Sequence, residues 1–419
     1  MTTQAFEQFI GGAQGRSPFA SLGLAVSGGG DSMALLHLAH AWLSAQKSQG
    51  ALLELSLHAV TVDHGLREEA KAEAAMVAEV CAGLGVSHDV LTWSWDGQGN
   101  LQDAARRARY GLMADWARAR GVDAVALGHT LDDQAETFLM RLARGSGVDG
   151  LAAMRADWQA DGTRWLRPVL VTARADLRDY LTARGVAWAE DPSNQDPRFD
   201  RVKARQAMGA LADLGLDAQR LADTAQHMTN AREVMERHAA QAARRLCQVK
   251  GGGVAFDLAG LTDEPMETQL RLFAHAMVWV SGADYRPRLD ALQEAMTLAA
   301  FGDRRTLHGC VIEGDLERVE IHREYNAVRR KRAAVGEVWD GRWVLEGPDR
   351  QAQVRALGEA INGCPDWRQT GLPRRALMAS PAAFLGDELR AAPLAGLANG
   401  WVLTPVHPDD HFFTSILSH

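Results

Sequence analysis

The chain has 419 residues, of which 47% are apolar and 23% are charged. This length and apolar content exceed what one ordinary hydrophobic core holds, so we expect two or three domains. The 40 Gly and 13 Pro are close to average usage, which excludes collagen-like and broadly disordered chains. The longest apolar stretches, such as residues 272–280, fall well short of the roughly 18 to 20 residues that cross a bilayer. The first twenty residues lack the basic start and apolar block of a secretory signal, and we expect a cytoplasmic protein.

The net charge of -8 argues against a nucleic-acid partner, because phosphate contacts need Lys and Arg. The distribution of the basic residues changes this view, since only five of the 45 are Lys and many of the others are clustered Arg. Clustered guanidinium groups suit phosphate recognition, although such clusters also occur on solvated helix faces. The clusters are Arg106, Arg107 and Arg109; Arg198, Arg201, Lys203 and Arg205; Arg304 and Arg305; Arg329, Arg330, Lys331 and Arg332; and Arg374 and Arg375.

From about residue 20 to residue 205, short apolar runs alternate with amphipathic helical patterns. The predicted strands are Leu22 to Val26, Leu55 to Val62, His88 to Trp93 and Ala124 to Leu127. The predicted helices between them are Ser32 to Leu43, Glu68 to Ala82 and a stripe from Leu101 to Trp116. This alternation is typical of an α/β fold, and the apolar strands favour a doubly wound, mainly parallel sheet that is covered on both faces.

Near residue 206 the pattern becomes mainly helical, with a long helix over 217–246 and further helices over 265–280 and 287–300. Residues 304–322 are β-rich, and Asp340-Gly341 predicts the turn of a hairpin over 338–344. We therefore predict three domains: a catalytic α/β domain over 1–205, a mainly helical domain over 206–335 and a small β-containing domain over 336–419.

The first predicted strand runs directly into the segment Ser27-Gly28-Gly29-Gly30-Asp31-Ser32, and a helix begins there. Three glycines let the backbone turn tightly, and the helix N-terminus adds roughly half a positive charge, so the segment predicts a phosphate-binding loop. It is neither a Walker loop nor a dinucleotide fingerprint. A carboxylate among phosphates requires a cation between them, so we assign Asp31 to Mg²⁺. The alternative is a Gly-rich turn in which Asp31 and Ser32 act only as helix caps.

The loop resembles the pyrophosphate loop (PP-loop) of the N-type ATP pyrophosphatases, and further segments narrow the resemblance to the tRNA(Ile)-lysidine synthetase family. These segments are Val62 to Arg67, Asn100 to Tyr110, Gly128 to Thr137, Arg144 to Gly147 and Glu190 to Asn194. The resemblance is close over residues 20–205 and looser beyond them. It implies an adenine nucleotide alpha hydrolase-like fold, with ATP and Mg²⁺ as cofactors.

The resemblance also implies a reaction in which ATP adenylates the first anticodon cytidine of the tRNA(Ile) with a CAU anticodon. Pyrophosphate leaves first, and the amine of L-lysine then displaces AMP to give lysidine. By the same resemblance, Ser27 to Ser32 bind ATP, and His64 and Arg67 line its pocket. The domains after residue 205 hold the tRNA, with Arg304, Arg305, Arg329 and Arg330 as candidate phosphate contacts. Whether the chain forms a homodimer stays open.

The segment from His129 to Glu136 opens a helix at the carboxyl edge of the sheet, where such folds bind ligands. Asp132, Asp133 and Glu136 are spaced so that the carboxylates and His129 can face one cleft. They could bind the cationic ends of lysine, accept a proton from its amine or hold a second Mg²⁺. The alternative is a purely structural role, in which the carboxylates of the first turn stabilise the helix and Asp132 acts only as a cap.

Two pairs of Arg complete the candidate catalytic site. Arg106 and Arg109 lie one helical turn apart, and the resemblance implies that one of them contacts the α-phosphate or the base. Arg201 and Arg205 are candidate contacts to lysine or tRNA. The family pattern expects an Asn after the first of these Arg, and this chain has Val202 there.

Two other functions compete. A tRNA sulfur transferase of the same superfamily would need a cysteine pair or an iron–sulfur cluster, whereas the four cysteines are far apart and form no Cys-x-x-Cys pair. We expect them to be reduced thiols, with Cys81 in a hydrophobic core. A non-catalytic tRNA-binding protein would have lost Asp31, His129 or Asp133, and all three are present.

Overall fold

A computed structural model describes residues 2–49, 54–63, 65, 69–95, 101–190, 198–283 and 285–418. The chain forms two compact units, Met1–Arg232 and Glu233–His419. The three-domain division at residues 205 and 335 stays a prediction. No helix within the described ranges is long and apolar enough to span a membrane.

The first unit is built on one six-stranded sheet with the order β3-β2-β1-β4-β6-β5. All neighbouring strands are parallel except β5, which runs antiparallel to β6. The strands are β1 (Ser21–Ala25), β2 (Ser56–Asp63), β3 (Ser87–Thr92), β4 (Ala124–Leu127), β5 (Asp157–Ala160) and β6 (Thr163–Leu166). The helices are α1 (Thr2–Arg16), α2 (Gly30–Ser48), α3 (Glu69–Leu84), α4 (Leu101–Arg120), α5 (Leu131–Ala143), α6 (Val148–Leu151), α7 (Arg174–Thr182), α8 (Asp200–Ala212) and the first part of α9 (Ala218–Leu246), which continues past the end of this unit at Arg232. The predicted doubly wound, mainly parallel fold is confirmed.

Helices cover both faces of this sheet, as its apolar central strands require. One core joins Phe6 of α1, Trp42 of α2 and Leu177 of α7 to β1. The other core joins Met113 and Trp116 of α4 to the opposite face. Cys81 lies in the first of these cores, as predicted.

The chain reverses its direction across the sheet between β1 and β4. Strands β2 and β3 extend from one side of β1, whereas β4 and β6 extend from the other. In open parallel sheets, a crevice forms outside the carboxyl ends of the strands at such a switch point, because the two following connections leave in opposite directions. The segments after β1, β4 and β6 all begin at this edge.

The second unit contains a five-stranded antiparallel sheet with the order β7-β8-β11-β10-β9, which accompanies the predicted helices. Its strands are β7 (Cys247–Lys250), β8 (Gly253–Asp257), β9 (Arg305–Leu307), β10 (Cys310–Gly314) and β11 (Arg318–Arg323). Its helices are α10 (Leu258–Thr262), α11 (Met266–Ser281) and α12 (Leu289–Ala300). Apolar residues of α11 and α12 share one core with β8, β10 and β11.

The rest of the second unit has two small antiparallel sheets, one of four strands and one of three. The predicted hairpin pairs Trp339 with Trp343, and both turn residues, Asp340 and Gly341, have the positive φ that such a turn requires. The remaining elements are α13 (Tyr325–Val328), β12 (Arg332–Ala334), β13 (Val338–Trp339), β14 (Trp343–Glu346), β15 (Gln353–Ala356), α14 (Arg374–Met378), β16 (Pro381–Leu385), β17 (Glu388–Ala391), β18 (Val402–Pro405) and α15 (Asp410–Ser415).

Candidate active site

The loop after β1 is held in shape by its own serines. The hydroxyl of Ser32 accepts a hydrogen bond from the Ser27 backbone N–H at 3.1 Å and donates one to the Gly29 carbonyl at 2.9 Å. Gly28 has a φ of 88°, a conformation that favours glycine. Within the described residues, no side chain caps the start of α2. The N–H groups of its first turn can therefore bind an anion.

Neighbouring backbone supports the loop from two sides. The Ala189 N–H donates to the Gly28 carbonyl at 2.9 Å. On the other side, a Cβ at Gly128 would stand 3.1 Å from the carbonyl oxygen of Asp31, so glycine is needed for this close approach. The loop is therefore a fixed cradle at the switch point of the sheet.

Asp31 has one paired and one unpaired carboxylate oxygen. Its Oδ2 accepts from Nε of Arg174 at 3.0 Å. Its Oδ1 is buried and has no hydrogen-bond partner among the described residues. Burial raises the pKa of Asp31 even though Arg174 opposes the rise. A desolvated, unpaired carboxylate oxygen beside a phosphate cradle fits a hard cation such as Mg²⁺.

Asp133 and Glu136 lie on the first turns of α5 and are almost completely buried. The Thr130 backbone N–H and hydroxyl donate to Asp133 Oδ2 at 2.8 and 2.9 Å, forming a capping box. Burial by itself would raise the pKa of Asp133, but the Arg174 and Arg201 guanidinium groups outweigh it and lower the pKa. Asp133 is therefore held as a carboxylate.

Arg174 joins the phosphate loop to α5. Its guanidinium lies 3.0 Å from Asp31 Oδ2, 3.0 Å from Asp133 Oδ1 and 3.3 Å from Glu136 Oε1. Burial would lower the pKa of this guanidinium, but Asp133 and Asp31 outweigh it and raise the pKa. The backbone N–H of Arg174 donates to Asp132 Oδ2 at 2.7 Å, so Asp132 caps the start of α7.

The sequence did not single out Arg174. It opens α7 shortly after β6, a parallel neighbour of β4, and this position at the carboxyl edge of the sheet is the signal that could have indicated it.

Two further Arg from α8 reach the same carboxylates. Arg205 Nε donates to Glu136 Oε1 at 2.9 Å, and Arg201 Nε lies 3.1 Å from Glu136 Oε2. Among the described residues, three carboxylates (Asp31, Asp133 and Glu136) are therefore matched by three guanidinium groups (Arg174, Arg201 and Arg205). We call this group the carboxylate–arginine cluster.

His129 lies beside this cluster and accepts a hydrogen bond at Nδ1 from Arg167 Nε at 3.1 Å. Burial, followed by the charge of Arg167, lowers the pKa of His129 to about 3. Of the predicted pair on α4, Arg106 is exposed, whereas Arg109 is partly buried and close enough to Arg201 to be affected by its charge. Burial lowers the pKa of Arg109. The inward-facing member of the pair is thus Arg109.

Several predicted contacts lie elsewhere. His64, Arg67 and residues 191–197 fall outside the described residues. Arg304, Arg305, Arg329 and Arg330 are exposed on the second unit, and Arg305 forms an ion pair with Glu294 at 3.0 Å. Their role as tRNA contacts stays a prediction.

The fold and site together define an ATP-utilising enzyme of the PP-loop class, and the PP-loop domain family matches residues 2–211 of this chain. The tRNA(Ile)-lysidine synthase of Ruegeria pomeroyi is 50% identical over 405 residues, which cover 96% of this chain and 95% of that protein. The tRNA(Ile)-lysidine synthase of Zymomonas mobilis is 37% identical over 79% of this chain and 95% of that protein. The chain belongs to the tRNA(Ile)-lysidine synthase family.

Among solved structures, the U34-tRNA thiolase NcsA from Methanococcus maripaludis is similar with a TM-score of 0.44 and 13% sequence identity. The similarity covers 54% of this chain and 78% of that chain.

Proposed function

We propose that the chain ligates L-lysine to the first anticodon cytidine of the tRNA(Ile) with a CAU anticodon. ATP activates the cytidine by adenylation with loss of pyrophosphate, and lysine then displaces AMP. The observation that supports this best is the set of ion pairs by which Arg174 links Asp31 to Asp133 and Glu136. These ion pairs join the phosphate-binding loop to a group of carboxylates suited to an amine. The cytoplasm is the proposed location.

In the first step, the loop from Ser27 to Ser32 would bind the pyrophosphate end of ATP through its backbone N–H groups. Asp31 would hold Mg²⁺, which supplies charge neutralisation for the departing pyrophosphate. Arg109, which is partly buried and faces the site, is the proposed contact to the α-phosphate or to the adenylated base. Arg106 is exposed, but its guanidinium lies over the same Tyr110 ring as that of Arg109, at 5.5 and 5.6 Å, and it would contact the tRNA beside the site.

In the second step, Asp133 and Glu136 would receive the ammonium group of lysine. Both carboxylates are already paired with guanidinium groups, so an incoming ammonium would take over positions that Arg174, Arg201 and Arg205 occupy. The released guanidinium groups could then turn to phosphate oxygens, because Arg binds carboxylate and phosphate with the same fork. Lysine binding would thereby strengthen the grip on the nucleotide.

The test of the proposal is pyrophosphate release by the full chain with ATP, Mg²⁺, lysine and unmodified tRNA(Ile). The Asp31→Asn variant should lose at least 100-fold in rate, because one removed electrostatic contact to a developing charge typically costs that much. Asp115→Asn, which changes an exposed Asp in an ion pair with Arg118, is the matched control. Wild-type turnover in the Asp31 variant would contradict the metal assignment. Because pyrophosphate leaves before lysine acts, the second measurement is the transfer of labelled lysine to the tRNA. Pyrophosphate release without any transfer of lysine would instead favour another PP-loop modification of tRNA.

Binding of the tRNA body by the second unit is a separate part of the proposal. Changing Arg329 and Arg330 together to Gln should lower the slope of log affinity against log salt by about 1 to 2, since each lost phosphate contact removes about one released counterion. The exposed pair Arg118 and Arg120 on α4 provides a control double variant. An unchanged slope would place the phosphate contacts elsewhere.

A further inference from the structure

Arg167 is a buried guanidinium that the mechanism above leaves without a role. It follows β6 directly and is 6% exposed. Its Nε donates to His129 Nδ1 at 3.1 Å, and its Nη1 donates to the carbonyl of Arg155. The guanidinium also lies 4.0 Å from the centre of the Trp158 ring. These contacts on three sides fix the plane of the guanidinium.

The contact with His129 determines where the imidazole carries its proton. A guanidinium has five N–H donors and no acceptor, and it stays protonated at every pH at which proteins are folded. A hydrogen bond between Arg167 Nε and His129 Nδ1 therefore requires Nδ1 to be the unprotonated acceptor. A neutral imidazole has one proton, which must then lie on Nε2, on the other edge of the ring.

The charges around His129 act in the same direction. Arg167 faces the ring from the segment after β6, Arg109 from α4 and Arg201 from α8, whereas Asp133 on α5 is the negative group beside it. Three positive groups against one negative group disfavour an imidazolium ion. Burial is the larger cause and acts in the same direction, so the pKa of His129 is lowered by burial first and by these charges second.

We propose that Arg167 is a positioning residue that holds His129 as a neutral imidazole with its proton on Nε2. His129 then serves the site as a hydrogen-bond donor and never as the base that takes a proton from lysine. That proton passes to a carboxylate of Asp133 or Glu136. This last role rests on the proposed function, whereas the state of the ring does not.

The first experiment is ¹⁵N NMR of the full chain labelled at histidine, without substrates. The His129 signals are assigned by their loss in the His129→Gln variant. We expect one ring nitrogen in the unprotonated region and the other in the protonated region, with neither moving between pH 5.5 and 8. A ring that titrates in this range, or that is protonated at Nδ1, would overturn the proposal whatever reaction the protein catalyses.

The second experiment removes the donor by changing Arg167 to Met. The matched control is Arg164→Met, which removes another buried guanidinium three residues earlier, where it is paired with Asp157 and not with the imidazole. In the Arg167 variant, the pKa of His129 should rise, because the charge that lowers it most after burial is gone, and pyrophosphate release should fall on the acidic side. Arg167→Lys should restore part of the wild-type pH profile.

The control variant should keep the wild-type His129 signals and pH profile. Equal pH profiles for the two Met variants would show that Arg167 contributes only to packing, and they would refute its positioning role. If Arg167→Met does not fold, the wild-type spectrum still decides the proposal.

Discussion

Replacing Arg174 with Met tests the physical basis of the carboxylate–arginine cluster. The substitution removes three ion pairs at once, to Asp31, Asp133 and Glu136, and leaves carboxylates buried. Breaking one side of a buried ion pair typically costs about 3 to 5 kcal/mol. Asp133 keeps its Thr130 donors and Glu136 keeps two guanidinium partners, so we expect the lower end, about 3 kcal/mol.

The matched control is Arg178→Met on the same helix. Arg178 is half exposed and lies 3.8 Å from Glu190, so its loss should cost less than about 1 kcal/mol. Urea unfolding of the full chain, followed by hydrogen-exchange mass spectrometry of α5 and α7, measures both variants and assigns the transition to the right unit. Equal costs for the two variants would refute the view that the cluster depends on Arg174.

The same variant has a defined pH dependence. The pKa of Asp133 is lowered in the folded protein, so the stabilisation is present above its unfolded pKa of about 3.9 and is lost as the pH falls through the folded value. The cost of Arg174→Met should therefore be largest at neutral pH and shrink below about pH 4. Added Mg²⁺ should stabilise the variant more than the wild type, because three carboxylates then lack a bridging cation. A cost that stays constant as the pH falls from 7 to 2.5 would exclude an ionic origin.

Three further predictions follow from local geometry. Gly128→Ala should reduce pyrophosphate release at least tenfold, because its Cβ would lie 3.1 Å from the backbone carbonyl oxygen of Asp31. The control Gly83→Ala in α3 should not reduce it, because the described neighbours leave open space there. Between pH 7 and pH 5, the free energy of unfolding of the wild type should fall by about 2 kcal/mol more than that of His129→Gln. The pKa of His129 is lowered to about 3 in the folded protein, so only the unfolded histidine, with a pKa of 6.5, takes up a proton in this range. Equal slopes of stability against pH for the two proteins would contradict this. The four thiols, whose pKa values are raised by burial, should react with a thiol reagent at pH 8 only after unfolding, and rapid labelling of the native chain would show otherwise.

The sequence was sufficient to predict the parts of the fold that depend on local periodicity. Each predicted strand of the parallel sheet is present, with ends shifted by at most one residue, because apolar runs between glycines leave little choice. The loop from Ser27 to Ser32 and the acidic start of α5 were also evident, since their residue types are unusual where they stand.

Arg167 and Arg174 could not be predicted in the same way. Neither belongs to the Arg clusters that the sequence shows, and nothing in their spacing distinguishes them from surface charges in a chain with 40 Arg. Their positions depend on the parallel pairing of β6 with β4, which brings the segment after β6 to the edge that carries His129 and Asp133. Helical spacing likewise left Arg106 and Arg109 equivalent, and burial separates them.

The pairing of three carboxylates with three guanidinium groups in the carboxylate–arginine cluster has a consequence for the substrate-free protein. Unpaired carboxylates in one pocket would repel one another, and a newly synthesised chain would need a cation from solution to fold around them. Here the guanidinium groups of the chain itself neutralise the carboxylates, so the protein can fold and stay folded when magnesium and nucleotide are scarce. The Mg²⁺ that the proposed reaction would use is then not needed to keep the chain folded.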